Sequence, residues 1–416
     1  MDQNGCEPKK PRLFPLLLIN FINTLGFGIV IPFLVFLVER FGGNAIVYGF
    51  IGAIYPAFQL IGAPILGRWS DIHGRKKILL ISQAGTLLSW IIFLLAFFTP
   101  VKTLVSVNST LFGAFVVTIP LLILFIARSF DGLTGGNIAV ANAYLADITE
   151  EKDRNKNFGK MSISANLGFI IGPALAGLLS ITIYGELIPV LAAALISLAG
   201  TIAIVLYLPE SRQCTIKKAE KINFREVIGI TNIPYMLLLY FLIFLGFNIF
   251  YTAFPLHAIS SLQWSVADMG IYFSVLGILM IVVQGPILSQ AVKKYSDAQL
   301  TIFGSVVLGT NFLLLVSGNV ALTYLAAAFF ALGNGLMWPS VLSIISKLAG
   351  KDHQGAVQGF ASSFSSLASI AGLILGGFLY EILEGVSFII AAVIIYTVFL
   401  LSFRMLSFEK KVREEV

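Results

Sequence analysis

"APILGRWSDIHGRKKILL", residues 63–80, sets Arg68, Asp71, His73, Arg75, Lys76 and Lys77 between two apolar runs. Those runs, 46–67 and 77–98, are each long enough for an α-helix to cross the hydrocarbon of a bilayer, which takes about 20 residues. The stretch reads as a tight polar turn between two spanning helices. Gly67 and Gly74 permit close backbone approach and tight turning. Asp71 is placed to pair with Arg75 or to sit at the positive end of another helix. Lys76 and Lys77 hold the turn on one membrane face.

The rest of the chain fits that reading. A soluble protein carries about 25% charged residues; this chain of 416 carries 12%, with 35 Phe and a mean hydropathy of +0.92. Such a chain cannot cover itself with polar surface, so its solvent is largely lipid. The net charge of +6 comes from basic residues scattered between apolar runs, which reads as a membrane-orientation signal and not as a nucleic-acid footprint. Cys6 and Cys214 fall in polar stretches on the basic side, and no disulfide is expected there. The N-terminal "MDQNGCEPKKPR" leads into an apolar run reaching Val38. That run is too long for a signal-peptide core and reads as a retained first span.

Twelve spans are expected, at 13–38, 46–67, 77–98, 117–146, 158–180, 187–208, 232–257, 266–291, 299–317, 321–346, 357–380 and 385–407. The runs are unbroken and lack period-two alternation, which excludes spanning strands. With the N-terminus inside, all 27 Lys and Arg except Arg40, Lys102 and Arg128 fall on the inner side, so both termini are expected in the cytosol. The chain also repeats itself. Residues 63–79 align with "GPILSQAVKKYSDAQLT", 285–301, and 158–177 align with "QGFASSFSSLASIAGLILGG", 358–377. The matches fall at corresponding positions of two six-span halves, a transporter architecture. The expected organisation is an all-α membrane protein of two pseudo-symmetric six-helix bundles, 1–208 and 231–416, joined by a basic linker at 209–230.

The turn resembles the signature loop of the major facilitator superfamily, matching at Gly67, Asp71, Gly74, Arg75, Lys76 and Lys77. The resemblance implies the major facilitator fold and a latch between the two halves on the cytosolic side. The second copy departs from it, with Ser289 where Gly67 stands and Lys293 where Asp71 stands. "RSFDGLTGGNIAVANAYLADIT", 128–149, resembles the fourth helix of tetracycline-type drug/proton antiporters, with Arg128, Gly132, Gly135 and Asp147 in register. The resemblance suggests that Asp147 joins Arg75 in the latch; a solvated helix end is the competing reading. "GFIIGPALAG", 168–177, resembles their fifth-helix motif at Gly168, Gly172, Pro173 and Gly177. On physical grounds alone, glycines four apart form a flat stripe for close helix packing, and Pro173 removes a hydrogen bond and bends the helix. A hinge or seal in alternating access is the functional alternative.

Arg128 and Asp131 lie near the middle of span 4. A lone charge there costs at least about 2.5–3.5 kcal/mol and implies function by default. Helical spacing puts Arg128, Asp131, Gly135 and Asn142 on one face, which is expected to line a watery cavity. At i,i+3 the charges can neutralise each other structurally. Alternatively Arg128 binds an anionic substrate group while Asp131 takes a proton, which requires the pair to break. The resembled antiporters carry an aspartate near Asn23; here Asn20 and Asn23 are neutral, leaving Asp131 as the one carboxylate placed deep in a span. Asn20 and Asn23 are candidates for substrate hydrogen bonds or for interhelical glue. In the second half Asn248, Tyr251, Gln284, Asn334 and Trp338 are cavity candidates, with ordinary packing as the alternative. "FALGNGLMWPS", 330–340, suggests a flexible or broken span 10.

His73, His257 and His353 lack metal-ligand spacing. No phosphate-cradling Gly-Lys-Ser/Thr loop is present. Neither metal nor other cofactor is expected, nor an enzyme. The expected function is a secondary transporter that exports a small organic or drug-like substrate by alternating access, with protons as a candidate counter-ion. An importer or uniporter of a small metabolite is the runner-up, and a channel or membrane receptor a distant third. A monomer in the bilayer, in a bacterial inner membrane, with no nucleic-acid partner, completes the expectation.

Overall fold

The computed structural model describes residues 13–109, 112–135, 137–149, 154–211 and 224–407. Cys6, Cys214 and most of the 209–230 linker lie outside the described residues. The first helices follow the apolar runs: α1 (Leu13–Arg40), α2 (Ala45–His73) and α3 (Arg75–Phe98). Span 4 comes in two pieces, α4 (Ile119–Thr134) and α5 (Asn137–Ile148), and is followed by α6 (Arg154–Ser180) and α7 (Leu187–Tyr207). The short α8 (Phe224–Gly229) precedes α9 (Ile233–Ser260). Span 8 is α10 (Val266–Val282), a π-helical turn at Val283–Ile287 and α11 (Leu288–Ala291). Then come α12 (Asp297–Leu315), α13 (Val320–Leu383) and α14 (Ser387–Ser402).

Ten stretches among the described residues are long and apolar enough to cross a membrane. The twelve expected spans are recovered from them for two physical reasons. Span 4 is split into pieces too short to qualify, and the stretch Val357–Ser407, 51 residues, holds two spans. The 64-residue α13 would be about 96 Å long if straight, but it folds back. A Cβ on Gly318, just before it, or on Gly385, just after it, would in either case touch the His257 ring. Both ends of α13 therefore lie at one end of α9, and spans 10 and 11 run in opposite directions.

Three expectations are corrected. Span 4 is not continuous, so Asn142 no longer shares a helical phase with Arg128 and Asp131. The backbone stays helical through Gly333, Gly335 and Pro339 in span 10; the irregular turn falls in span 8 instead, around Pro286, whose missing N–H and ring displace the α-helical pattern. Strands also occur, outside the spans: β1 (Thr103–Ser109) and β2 (Gly113–Thr118) form an antiparallel hairpin with Ser109 opposite Gly113. The hairpin is tied to the α1–α2 turn, where the Val116 N–H donates to the Gly42 carbonyl at 2.9 Å and the Thr118 hydroxyl to the Phe41 carbonyl at 2.8 Å.

The chain divides into two compact units. The first holds residues up to 43, 54–219 and 266–274; the second holds 44–53, 220–265 and 275–416. Each thus includes the first turns of a helix whose remainder groups with the other. In the second unit the Ala45 amide donates to Glu381 Oε2 at 3.1 Å, and Gly49 lies so close to Gly377 that a Cβ there would stand 3.2 Å from its Cα. In the first, Gly270 lies against Gly177 and the Pro173 carbonyl. The apolar core at the basic-loop end of the first unit gathers Leu16, Ile19, Leu66, Ile78, Tyr144 and Ile204. Lipid supplies no hydrophobic drive between helices, so close van der Waals contact through small residues does the work.

The fifth-span glycine stripe is that kind of contact. α6 runs unbroken through Pro173. A Cβ on Gly172 would stand 2.8 Å from the Leu25 carbonyl oxygen and the Gly28 carbonyl carbon of α1. Gly168 faces Leu25 and Thr24 in the same way. Gly172→Val is expected to destabilise the protein by about 1–3 kcal/mol through overpacking, whereas Gly159→Ala, where nothing lies within 4 Å, leaves the melting temperature unchanged. Thermal unfolding in detergent measures both, and a parent-like Gly172→Val would overturn this account of the α1–α6 contact.

Candidate functional site

The site begins with the break in span 4. α4 ends at Gly135, whose N–H turns back to the Gly132 carbonyl at 3.0 Å. In lipid the carbonyls freed by such a break need partners, and two side chains supply them. The Ser82 hydroxyl donates to the Thr134 carbonyl, and Gln59 Nε2 donates to the Gly135 carbonyl at 2.8 Å. Glycines bring the helices together here: Gly62 faces Leu133, Gly132 faces Tyr55 and Phe58, and Gly85 faces Thr134.

Just before the break, Arg128 and Asp131 turn inward. Arg128 is 6% exposed. Its Nη1 lies 3.5 Å from Asp131 Oδ2, a loose ion pair, and its guanidinium sits over the rings of Tyr55 at 5.0 Å and Phe27 at 5.9 Å. Asp131 Oδ1 accepts from the Thr86 hydroxyl at 3.0 Å. The Tyr55 oxygen accepts from Gln59 at 3.1 Å. Phe27, Tyr55, Thr86, Arg128 and Asp131 line a pocket of about 30 Å³ together with Asn23, Gln83, Trp90 and Ser197, room for about two waters. Three buried atoms on this lining have no protein partner: Asn23 Oδ1, Gln83 Oε1 and Arg128 Nε. A buried polar atom left unpaired costs about 1–3 kcal/mol, and two acceptors and one charged donor are left so among the residues of this lining.

The sequence-derived candidates separate here. Asn23, Arg128 and Asp131 meet in the pocket. Asn20 does not; its amide donates to the Met161 carbonyl at 2.9 Å and ties α1 to α6. Asn142 does not line the pocket either. In the second unit Asn248 binds α9 to α13, donating to the Phe244 carbonyl at 2.7 Å and Ser369 Oγ at 3.0 Å. Trp338 and Tyr251 belong to an aromatic cluster: Trp338 packs 4.4 Å from Phe244, and Tyr251 stacks on Phe247. Gln284 sits on the π-turn, near Gly335, and Asn334 is buried with an unpaired Oδ1. Tyr55, Gln59, Gln83 and Thr86 were not among the candidates. Their signal was polarity inside spans 2 and 3.

The latch residues gather at the basic-loop end of the first unit. Arg75, 8% exposed at its side chain, pairs with Asp71 at 2.6 Å and Asp147 at 3.1 Å, and bonds Ser70 Oγ at 2.6 Å. Gly74 has φ 97°, a conformation that favours glycine. Gly67 is different: nothing within 4 Å would meet a Cβ there, so it makes no close backbone approach in this structure. Glu210 completes the cluster by accepting from the Arg75 N–H at 2.7 Å and from the Lys76 N–H, capping the start of α3. Lys76 Nζ reaches the Val205 carbonyl at 3.0 Å. The repeat in the second unit turns out to be charge-inverted. By the two offsets of the sequence repeat, Arg75 corresponds to Asp297 and Asp147 to Lys347, and these two pair at 2.6 Å, with Ser343 also on Asp297.

The model of the Major Facilitator Superfamily matches residues 16–318 and 236–415, so the chain belongs to that superfamily and is a secondary transporter. Among curated relatives it is 27% identical to "Tetracycline resistance protein, class C" of Escherichia coli, over 84% of this chain and 85% of that one. It is 29% identical to "Multidrug resistance protein 1" of Bacillus subtilis, over 90% and 91%. Among solved structures, the human organic anion transporter MFSD10 superposes with a TM-score of 0.68 at 20% identity, over 95% of this chain and all of that one. A D-xylose-proton symporter gives a TM-score of 0.75 at 16% identity, over 94% and 97%.

The two ion pairs differ in burial, which sets their strength. Lys347 is 48% exposed at its side chain, so a double-mutant cycle of Asp297→Asn and Lys347→Gln is expected to give a coupling of about 0.2–1 kcal/mol. The buried Arg75→Gln and Asp147→Asn cycle is expected to give about 1.5–3 kcal/mol. Chemical or thermal unfolding of the four single and two double variants measures both, and equal couplings would contradict the burial argument.

Proposed function

We propose that this protein exports a small organic, drug-like molecule by alternating access, with proton entry as the drive and Asp131 as the proton carrier. The observation that carries the reading is the pocket around Asp131. It places a carboxylate beside a loosely paired Arg128 whose guanidinium lies over two aromatic rings, with three unpaired polar atoms among its lining residues. When the pair is closed, the guanidinium stabilises the carboxylate. Substrate is held by this ionised pair, and a proton arriving on Asp131 breaks the pair and releases the substrate. Proton and substrate thereby occupy the site in turn, which is the coupling that antiport requires. Asn23 Oδ1 and Gln83 Oε1 orient donors on the substrate, and Phe27, Tyr55 and Trp90 hold its apolar part. Both the tetracycline and the multidrug names among the relatives support export of an amphiphile.

The two sequence halves act as the rocking bodies in this reading, with both termini and the Asp71–Arg75–Asp147 cluster on the cytosolic side. The charge-inverted pair Asp297–Lys347 serves as the second half's own lock. Arg128 and Asp131 belong to the proton and substrate site, Gly168, Gly172, Pro173 and Gly177 to a seal, and Asn20, Asn142 and Asn248 to the framework. The superfamily's single-chain pocket makes a monomer sufficient.

The test is flux into proteoliposomes under an imposed pH gradient, with tetracycline and ethidium as probes. Asp131→Asn is expected to lower gradient-driven movement at least about tenfold while probe exchange without a gradient persists. Adding Asn23→Asp, which returns a carboxylate to the same pocket, is expected to restore part of the driven flux. Undiminished driven flux in Asp131→Asn would remove Asp131 as the carrier.

A further inference from the structure

A second, smaller cavity adjoins the pocket and shares Trp90, Arg128 and Asp131 with it; Ser89, Phe93 and Ala127 complete its walls. Its volume is about 10 Å³, close to that of one water. The two cavities adjoin at Trp90, Arg128 and Asp131. Gln83 and Thr86 line the larger one, towards the basic loop. Ser89 is three residues nearer the hairpin than Thr86, about 4.5 Å further along the axis, and Phe93 lies beyond it.

Ser89 is 4% exposed, and its hydroxyl has no protein partner. Among the described span serines it shares this with Ser387, at the first position of α14. Ser129, Ser274, Ser305, Ser340 and Ser402 each donate to the carbonyl four residues back, the usual way a helix absorbs a hydroxyl. Ser89 keeps its hydroxyl on a cavity whose other polar walls are a carboxylate and a guanidinium. Towards the hairpin the cavity ends at Phe93, 2% exposed, which meets Phe33 edge-on at 6.3 Å and Trp90 at 5.6 Å. Leu124, fully buried on α4, sits one turn beyond Arg128 in the same direction.

We infer that Ser89 and a water held in this cavity form the hairpin-end proton route to Asp131, and that Phe93 is its plug. The inference rests on Asp131 being the proton carrier. In the transfer, the cavity water gives one proton to an Asp131 carboxylate oxygen and takes one from the Ser89 hydroxyl. Ser89 is refilled by the proton arriving past Phe93, so one proton moves and no charge remains on the serine. The charged or titratable groups facing Asp131 are Arg128 on its own helix and Tyr55 on α2. α1 and α3 present Asn23, Phe27, Thr86 and Trp90, none of which titrates, so the hairpin-side route has Ser89 as its hydroxyl. Asp131 lines both cavities, so a proton delivered through the smaller one reaches the carboxylate that the larger one presents to substrate.

The experiment needs no substrate. Purified protein is reconstituted in liposomes loaded with pyranine, and acid entry is followed after an external pH step. Phe93→Ala, and the milder Phe93→Leu, are expected to raise proton entry severalfold over the parent. Adding Ser89→Val, which fills the cavity, or Asp131→Asn is expected to return entry to the parent rate. Correctly folded Phe93 variants without added entry would overturn the route. So would entry that persists in the Ser89→Val double variant, with Asp131→Asn still blocking it; that result leaves Asp131 as carrier. Entry blocked by Ser89→Val but not by Asp131→Asn would instead overturn the carrier assignment and the route with it. A second readout covers variants that fail to fold. The infrared carbonyl band lost in Asp131→Asn is timed for exchange after a switch to D₂O. Ser89→Val slows it severalfold and Ser89→Thr does not; equal rates would sink the role of Ser89, and the absence of any such band at any pH would sink the carrier.

Discussion

A charge pair held in hydrocarbon is the constraint on which this molecule turns. Arg128 and Asp131 can stay where they are only because their surroundings replace water. Two ring faces, one threonine hydroxyl and the pair's own 3.5 Å contact do so incompletely. The incompleteness is informative. Arg75, by contrast, is saturated: it finds Asp71, Asp147 and Ser70. Arg128 instead keeps an unpaired Nε, and Asn23 and Gln83, which line the same pocket, keep unpaired acceptors.

The backbone pays for this site in a way that spreads outward. Ending α4 at Gly135 frees carbonyls, so Ser82 and Gln59 are recruited from α3 and α2. Recruiting them requires the three helices to approach closely, so Gly62, Gly85 and Gly132 face neighbouring backbone or side chains with no space for a Cβ. The same logic repeats at α1 and α6, where Gly28, Gly168 and Gly172 interlock. In lipid, where apolar surface gains nothing by contact with another helix, shape and hydrogen bonds fix which helices meet.

The two halves solve one problem with opposite signs. At the basic-loop end of the first unit a cation on α3 meets an anion at the end of α5. In the second unit an anion on α12 meets a cation on α13. The sequence repeat alone makes the second copy look degenerate, because Lys293 replaces an acid. The partner contacts show that the pairing survives with the charges exchanged, since Coulomb attraction does not depend on which helix carries which sign.

How much of this was legible beforehand follows from what each signal encodes. Run length and hydropathy encode membrane crossing directly, so helix ends were placed within a few residues, and the glycine spacing of α6 announced a packed stripe. The buried pair was legible because two charges three residues apart inside an apolar run stand out, although the sequence left a structural pair and a working one both open. The hairpin's docking and the break at Gly135 were not legible, since each depends on partners distant in the chain; the π-turn has a local cause in Pro286, whose effect on span 8 was not drawn from the sequence. Nor could the sequence separate Asn23 from Asn20. Three residues apart on one helix, both are polar and both lie in a span, yet one faces α6 and the other the pocket. Sequence by itself determined which segments cross the bilayer and that charge is buried in the fourth. Only tertiary packing decided which neighbours surround that charge, because a helix period fixes the faces of a rod but not which rod each face meets.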